Sequence, residues 1–147
     1  MKSETIRIGQ ITVDFVLEAA DTNGSVAMFT FGVPAGAHTP PPHYHEHYDE
    51  TIYGLEGIIT FTVGGKPVDI APGESCFIAR GTVHGFNNLY AEKAKGLAVI
   101  TPALIGPNFF KDCAEIVNAG GPPDVEKLKA VMTKYGLIPV LPKQPAL

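Results

Sequence analysis

The stretch His43-Tyr44-His45-Glu46-His47-Tyr48-Asp49-Glu50 carries the strongest structural and functional signal in this chain. It contains three of the five histidines of the sequence, at alternate positions, together with three carboxylates. Alternate residues of a β-strand project to the same face, so His43 and His45 can point to one ion. Imidazole and carboxylate groups together bind divalent transition metals. We therefore predict that this stretch supplies most of a metal site.

The spacing leaves the carboxylate ligand open. Glu50 lies five positions after His45, and an odd offset turns a side chain to the opposite face of an unbroken strand. Either the chain bulges or turns between residues 46 and 49, or Asp49 is the ligand. His47 has the right parity, but it is about 13 Å from His43 along a strand. We expect His47 at the rim of the pocket and not on the metal.

The one histidine after residue 47 is His84, and it is the candidate for a further ligand. Residues 36–57 resemble the first motif of the cupin superfamily, in which His-x-His is followed by four residues, Glu, six residues and Gly. The residues that fit it are His43, His45, Glu50 and Gly57. Residues 73–88 resemble the second cupin motif. The residues that fit this one are Gly73, Gly81, His84 and Asn88.

Two positions depart from the motifs without removing a ligand position. The first motif begins with a glycine, and here Gly36 lies one residue further from the first histidine than usual. In the second motif, Ala79 replaces a proline. The resemblance implies a metal held by four residues, and it selects Glu50 over Asp49. The implied ligands are His43, His45, Glu50 and His84. More narrowly, residues 40–101 resemble the small single-domain cupins of the quercetin-dioxygenase-like (Cupin_2) type.

Short apolar runs punctuated by glycine and proline extend from about residue 5 to residue 101 and predict many short strands. This pattern is typical of an all-β barrel or sandwich, and the cupin double-stranded β-helix, a jelly-roll barrel, fits it. The proline-rich segment 34–42 is expected to be a rigid lead-in to the first histidine. Helical spacing predicts helices at 109–119, capped by Asn108, and at 124–135. They would cover one face or the mouth of the barrel.

We expect one cupin domain over residues 1–147, with the barrel at about 5–101 and a helical C-terminal extension at about 108–136. Residues 137–147 would form an extended tail, laid on a partner subunit in a homodimer. A hydrophobic content of 45% and a charged content of 18% fit a globular chain. A net charge of −4 argues against nucleic acid and anionic membranes as partners. No apolar segment follows Met1–Glu4, so we expect a soluble, cytoplasmic protein with Cys76 and Cys113 reduced.

Three functional hypotheses follow. The first is a metal-dependent dioxygenase that acts on a small aromatic or enolisable compound, with Glu50 as both ligand and general base. The second is a barrel that binds or senses a small molecule without turnover, and the third is a metal-dependent isomerase or epimerase. Ligand type leaves iron, nickel, manganese, copper, cobalt and zinc open. Phe86, His47 and Tyr53 are candidates for the substrate pocket, and His38 is expected to be an ordinary loop histidine.

Overall fold

The computed structural model describes residues 4–140, which form eleven β-strands, two α-helices and a short 3-10 turn at Ala19–Asp21. Seven strands precede the second histidine motif. They are β1 (Ile6–Ile8), β2 (Ile11–Leu17), β3 (Ala27–Val33), β4 (His43–His45), β5 (Asp49–Glu56), β6 (Ile59–Val63) and β7 (Lys66–Ile70). The later elements are β8 (Ser75–Ile78), β9 (His84–Asn87), β10 (Ala94–Thr101), α1 (Pro107–Val117), α2 (Val125–Lys134) and β11 (Leu137–Pro139).

The strands form two antiparallel sheets. One has six strands in the order β1-β2-β3-β10-β5-β8, and the other has five in the order β11-β4-β9-β6-β7. Burial alternates along β2, β3 and β10, because every second side chain points to the interior. Rings from the two sheets meet there, with Phe31 of β3 against Phe61 of β6 at 6.5 Å between centroids. The predicted double-stranded β-helix with C-terminal helices is confirmed.

The chain changes sheet within the histidine-rich stretch. β4 ends at His45, a bend covers Glu46 and His47, and β5 starts at Asp49 in the opposite sheet. Because the strand is broken there, the parity of positions 43 and 45 does not carry over to position 50. Glu50 can therefore face the histidines from across the barrel. Of the two alternatives that the spacing allows, the chain takes the turn.

The C-terminal helices lie close to their predicted positions. α1 begins two residues earlier than predicted, with Pro107 in its first turn and Gly106 as its N-cap, so the expected cap at Asn108 is wrong. Proline fits there because the first helical turn has no intrahelical partner for a backbone N–H. In α2, the Asp124 carboxylate accepts a hydrogen bond from the backbone N–H of Lys127, as an N-cap does.

The start of the predicted extended tail is a strand of this same chain. β11 pairs with β4, and Leu137 lies opposite His45 while Pro139 lies opposite His43. The backbone N–H of Val140 continues the contact by donating to the carbonyl of Pro42. Residues 137–139 are therefore extended, as expected, but they lie on β4 of the same chain and not on a partner subunit; residues 141–147 lie outside the described part of the chain. Among residues 4–140, no helix is both long and apolar enough to cross a membrane.

Candidate metal centre

Three histidines converge inside the barrel. His43 and His45 project from β4, and His84 at the start of the neighbouring strand β9 lies opposite His43. All three side chains are buried, and one nitrogen atom of each lies within 4.8 Å of the others. The His-x-His alternation brings the first two to one face, and strand pairing adds the third.

Backbone carbonyls orient two of the rings. Nδ1 of His43 lies 2.9 Å from the carbonyl oxygen of Pro41, and Nδ1 of His84 lies 2.9 Å from that of Thr82. Because a carbonyl only accepts, each Nδ1–H must be the donor. This fixes the proton on Nδ1 and leaves the lone pair of Nε2 free, as in histidines that bind a metal.

Glu50 approaches the histidines from β5 in the opposite sheet. Its Oε2 lies 3.4 Å from Nε2 of His84 and 3.6 Å from Nε2 of His45. The carboxylate is 14% exposed, so it is shielded from most of the solvent. A carboxylate close to two of the three clustered histidines completes a set of donor atoms that borderline divalent metals prefer.

Burial keeps two of the imidazoles neutral. It is the main cause that lowers the pKa of His43 to about 4, and the charge of His84 adds to it. Burial likewise lowers the pKa of His45 to about 3, although the Glu50 carboxylate opposes the shift. Neutral imidazole is the form that binds a metal, so both rings are ready for ligation at neutral pH.

Glu50 and His84 form a charge-coupled pair. Burial alone would raise the pKa of Glu50, but the facing histidines, His84 foremost, outweigh it and lower that pKa. Burial alone would lower the pKa of His84, but the Glu50 carboxylate outweighs it and raises that pKa. The carboxylate is therefore ionised beside an imidazole that holds a proton more firmly than usual.

The residues fit a divalent metal. Nε2 of His84 is buried, and although it is near Glu50 it has no aligned hydrogen-bond partner. A buried polar atom without a partner is costly, so its persistence requires an explanation such as an ion. The tautomers, the burial and the adjacent carboxylate agree with one ion among these side chains.

Tyr48 packs against one of the three histidines and links it to the C-terminal part of the chain. Its fully buried ring stacks on His45 with centroids 4.4 Å apart and an angle of 26° between the planes. Its hydroxyl donates to the carbonyl of Tyr135, just before β11, at 3.4 Å. The ring of Tyr135 in turn packs against Phe109 of α1 at 5.3 Å. The first turn of α1 is thus tied to the histidine end of the barrel.

The histidines and Glu50 lie in the wall of a cavity of about 560 Å³, a volume typical of small-molecule sites. Apolar side chains from the barrel and from α1 and α2 form most of the rest of its wall. The phenylalanines involved are Phe29, Phe31, Phe61, Phe86, Phe109 and Phe110. Among the described residues that line it, none is a lysine or an arginine. The cavity is therefore apolar, with its charged groups concentrated at the histidine end.

Of the three predicted pocket residues, the structure brings one to the cavity. Phe86 lines it and contacts the rings of Phe31 and Phe61. Tyr53 points to solvent on the outer face of β5, and the side chain of His47 is 70% exposed next to Glu46. Neither residue lines the cavity.

Sequence reasoning underestimated two parts of the wall. His38 lines the cavity from the proline-rich loop, where no periodicity could reveal its direction. The helical face predicted as a mere cover contains Phe109, Cys113 and Val117, which all line the cavity. Their spacing of four residues was visible in the sequence.

Comparison with known proteins gives two sequence matches. The profile of the Cupin_2 family, described as a cupin domain, matches residues 29–100. Quercetin 2,3-dioxygenase of Bacillus subtilis is 36% identical over 67 residues. That alignment covers 46% of this chain and 20% of the dioxygenase, so the chain matches about a fifth of its relative's length.

Solved structures give similar barrels. KdgF from a Halomonas species superposes with a TM-score of 0.60 at 19% identity, over 68% of this chain and 86% of that one. A predicted oxalate decarboxylase from Thermotoga maritima superposes with a TM-score of 0.57 at 28% identity, over 67% and 90% of the two chains. The first similarity concerns the fold alone, because its sequence identity is low.

Proposed function

The chain belongs to the cupin superfamily, and from that premise we propose that it is a metal-dependent dioxygenase of a small aromatic or enolisable compound. The observation that carries the proposal is the meeting of His43, His45, His84 and Glu50 at one end of an apolar cavity. The partial sequence match to quercetin 2,3-dioxygenase of Bacillus subtilis supports the same proposal.

The three histidines and Glu50 would hold the metal. A divalent transition metal held there would supply Lewis-acid and redox chemistry for the reaction of the substrate with dioxygen. The carbonyls of Pro41 and Thr82 keep two of the rings in the tautomer that binds it.

Glu50 would act on the substrate's proton. As an ionised carboxylate inside the cavity, it accepts the proton of an enol hydroxyl at Oε2 and leaves the more electron-rich enolate. Dioxygen is the oxidant, and both its atoms enter the products. The phenylalanine wall orients a planar substrate by ring packing and excludes water from the enolate.

The same wall disfavours strongly anionic substrates. A phosphosugar or a small dicarboxylate needs cationic partners for its negative groups, and Arg or Lys usually supplies them. The described lining residues include neither. An isomerase of phosphosugars and a decarboxylase of a small dianion are therefore poorer fits to this cavity than an oxygenase of an apolar compound.

Oxygen consumption tests the proposal. Protein loaded in turn with iron, nickel, manganese, copper and cobalt is mixed with 3-hydroxyflavone and other chelating enols, and dioxygen uptake is followed together with substrate loss. We expect uptake equal to substrate loss with at least one metal. Glu50→Gln should abolish it and still fold, while the matched control Glu46→Gln, at an exposed carboxylate outside the cavity, should retain it.

Two results would contradict this account. Turnover retained in Glu50→Gln would remove Glu50 from the mechanism. Metal-loaded protein that binds these enols but consumes no dioxygen with any of them would leave a barrel that binds or senses a small molecule.

A further inference from the structure

The C-terminal helices supply one wall of the cavity. The cupin profile ends at residue 100, yet one wall of the cavity comes from α1 and α2, beyond that residue. Phe109, Cys113 and Val117 follow one face of α1, and Leu128 and Met132 follow one face of α2. This wall belongs to the part of the chain outside the profile match.

The direction of this wall can be read from its contacts. The first turn of α1 lies at the histidine end of the cavity. Phe109 packs on Tyr135, and the backbone carbonyl of Tyr135 accepts a hydrogen bond from the hydroxyl of Tyr48. At the other end, Val117 lies next to Gly9, an exposed residue of the turn between β1 and β2. Eight residues separate these ends, which corresponds to about 12 Å along the helix.

The cavity opens at the Val117 end. Its exposed lining residues are Gly9, Gln10, His38, Pro40, Gly121 and Pro123, from three loops. The interior lining along α1 and α2 between that mouth and the histidines is apolar. A ligand that has its polar end at Glu50 and lies along α1 therefore meets the apolar wall between Phe109 and Val117, which is about 12 Å long.

We infer that this protein selects an enolisable chelating compound with one polar head and an apolar tail that extends along α1 to the mouth. The inference rests on the proposed function, because it places the chelating head at the histidines. Roughly nine carbon atoms span the 12 Å, at about 1.5 Å per bond shortened by the zigzag of the chain. A compound with hydroxyl groups along its length would leave them without partners on this wall.

A homologous series tests the tail on the unmodified protein. Zinc-loaded protein is titrated calorimetrically with straight-chain β-diketones, starting from acetylacetone and lengthened by two methylenes at a time. Zinc has no redox chemistry, so binding is measured without turnover. We expect affinity to rise about threefold to fourfold per methylene, hence roughly tenfold per pair, and to level off when the tail reaches the mouth.

Two variants locate the tail. Leu128→Glu places a charge on the α2 wall and should weaken the longest diketone roughly tenfold or more, because burying an unpaired charge is costly. It should leave the affinity for acetylacetone unchanged. Val125→Glu, at an exposed position of the same helix outside the cavity, should change neither affinity.

The outcomes separate this inference from the proposed function. If acetylacetone binds but longer diketones bind no tighter, the tail is refuted and the metal centre stands. If the protein takes up no metal, the proposed function fails, and straight-chain alkanols added to metal-free protein then test the apolar wall by itself. Affinity for alkanols that rises with chain length would support the apolar binding surface along α1 and α2. If none of the alkanols binds, this binding surface is refuted.

Discussion

Acidification of the metal-free protein tests whether the candidate ligands are held neutral in a dry site. Burial lowers the pKa of His43 to about 4 and that of His45 to about 3, from an ordinary value of 6.5. Below pH 6.5 the unfolded chain therefore binds more protons than the folded one. The free energy of unfolding must fall as the pH falls, until the folded pKa values are reached.

The size of the loss follows from the shifts. Each pH unit below the unfolded pKa costs about 1.4 kcal/mol per histidine, so at pH 5 each one costs about 2 kcal/mol and the pair about 4 kcal/mol. His84 offsets part of this, because its pKa is raised and its protonation favours the folded state. Ordinary carboxylates titrate mostly below pH 5 and contribute little in this range. A net loss of about 2 to 4 kcal/mol is a large fraction of a typical domain stability.

Urea unfolding in the presence of a chelator, at pH 7 and at pH 5, measures this loss. The matched variant is His43→Gln, which removes one of the two shifted groups. We expect the parent to lose about 2 to 4 kcal/mol between the two pH values, and the variant to lose about 2 kcal/mol less than the parent. Equal losses in both proteins, or a parent as stable at pH 5 as at pH 7, would refute the claim that burial keeps these rings neutral.

Two further predictions concern the frame around the site. Asn88 is buried, and its side-chain amide donates to the carbonyls of Val33 and Glu92, so Asn88→Ala should lower the free energy of unfolding by about 2 to 3 kcal/mol. Its metal content, measured on the folded protein, should stay that of the parent; a loss of metal would give Asn88 a role at the centre. A methyl group on Gly54 would lie 2.2 Å from the carbonyl oxygen of Ala71, so Gly54→Ala should lower the melting temperature clearly. In Gly106→Ala the added methyl group meets open space, so this variant should lower the melting temperature less. Equal decreases in the two variants would contradict the steric argument.

The part of the site that local sequence could predict is the part that local geometry produces. Strand alternation alone brings His43 and His45 to one face, and the resemblance to cupins adds His84 and Glu50. Spacing could not choose the carboxylate, because the crossing from β4 to β5 depends on which sheet each strand joins. That is a tertiary property, and only the paired sheets resolve it.

The failures have equally specific causes. Tyr53 lies three positions after Glu50 on β5, and this odd offset turns it outward, so alternation should have excluded it from the pocket. β11 has three residues, one of them a proline, and it exists because β4 offers a free edge. Such a strand has no periodicity of its own. His38 lies in a loop without regular structure, where sequence gives no direction for a side chain.

The most direct test of the central claim is the metal content of protein purified without a tag or chelator, measured by mass spectrometry. His84→Ala removes the buried Nε2 that has no aligned partner, and His47→Ala removes an exposed histidine outside the cavity. We expect nearly one equivalent of a divalent transition metal in the parent and in His47→Ala, and little in His84→Ala. A parent that holds no metal after incubation with each divalent ion, or equal metal in all three proteins, would contradict it.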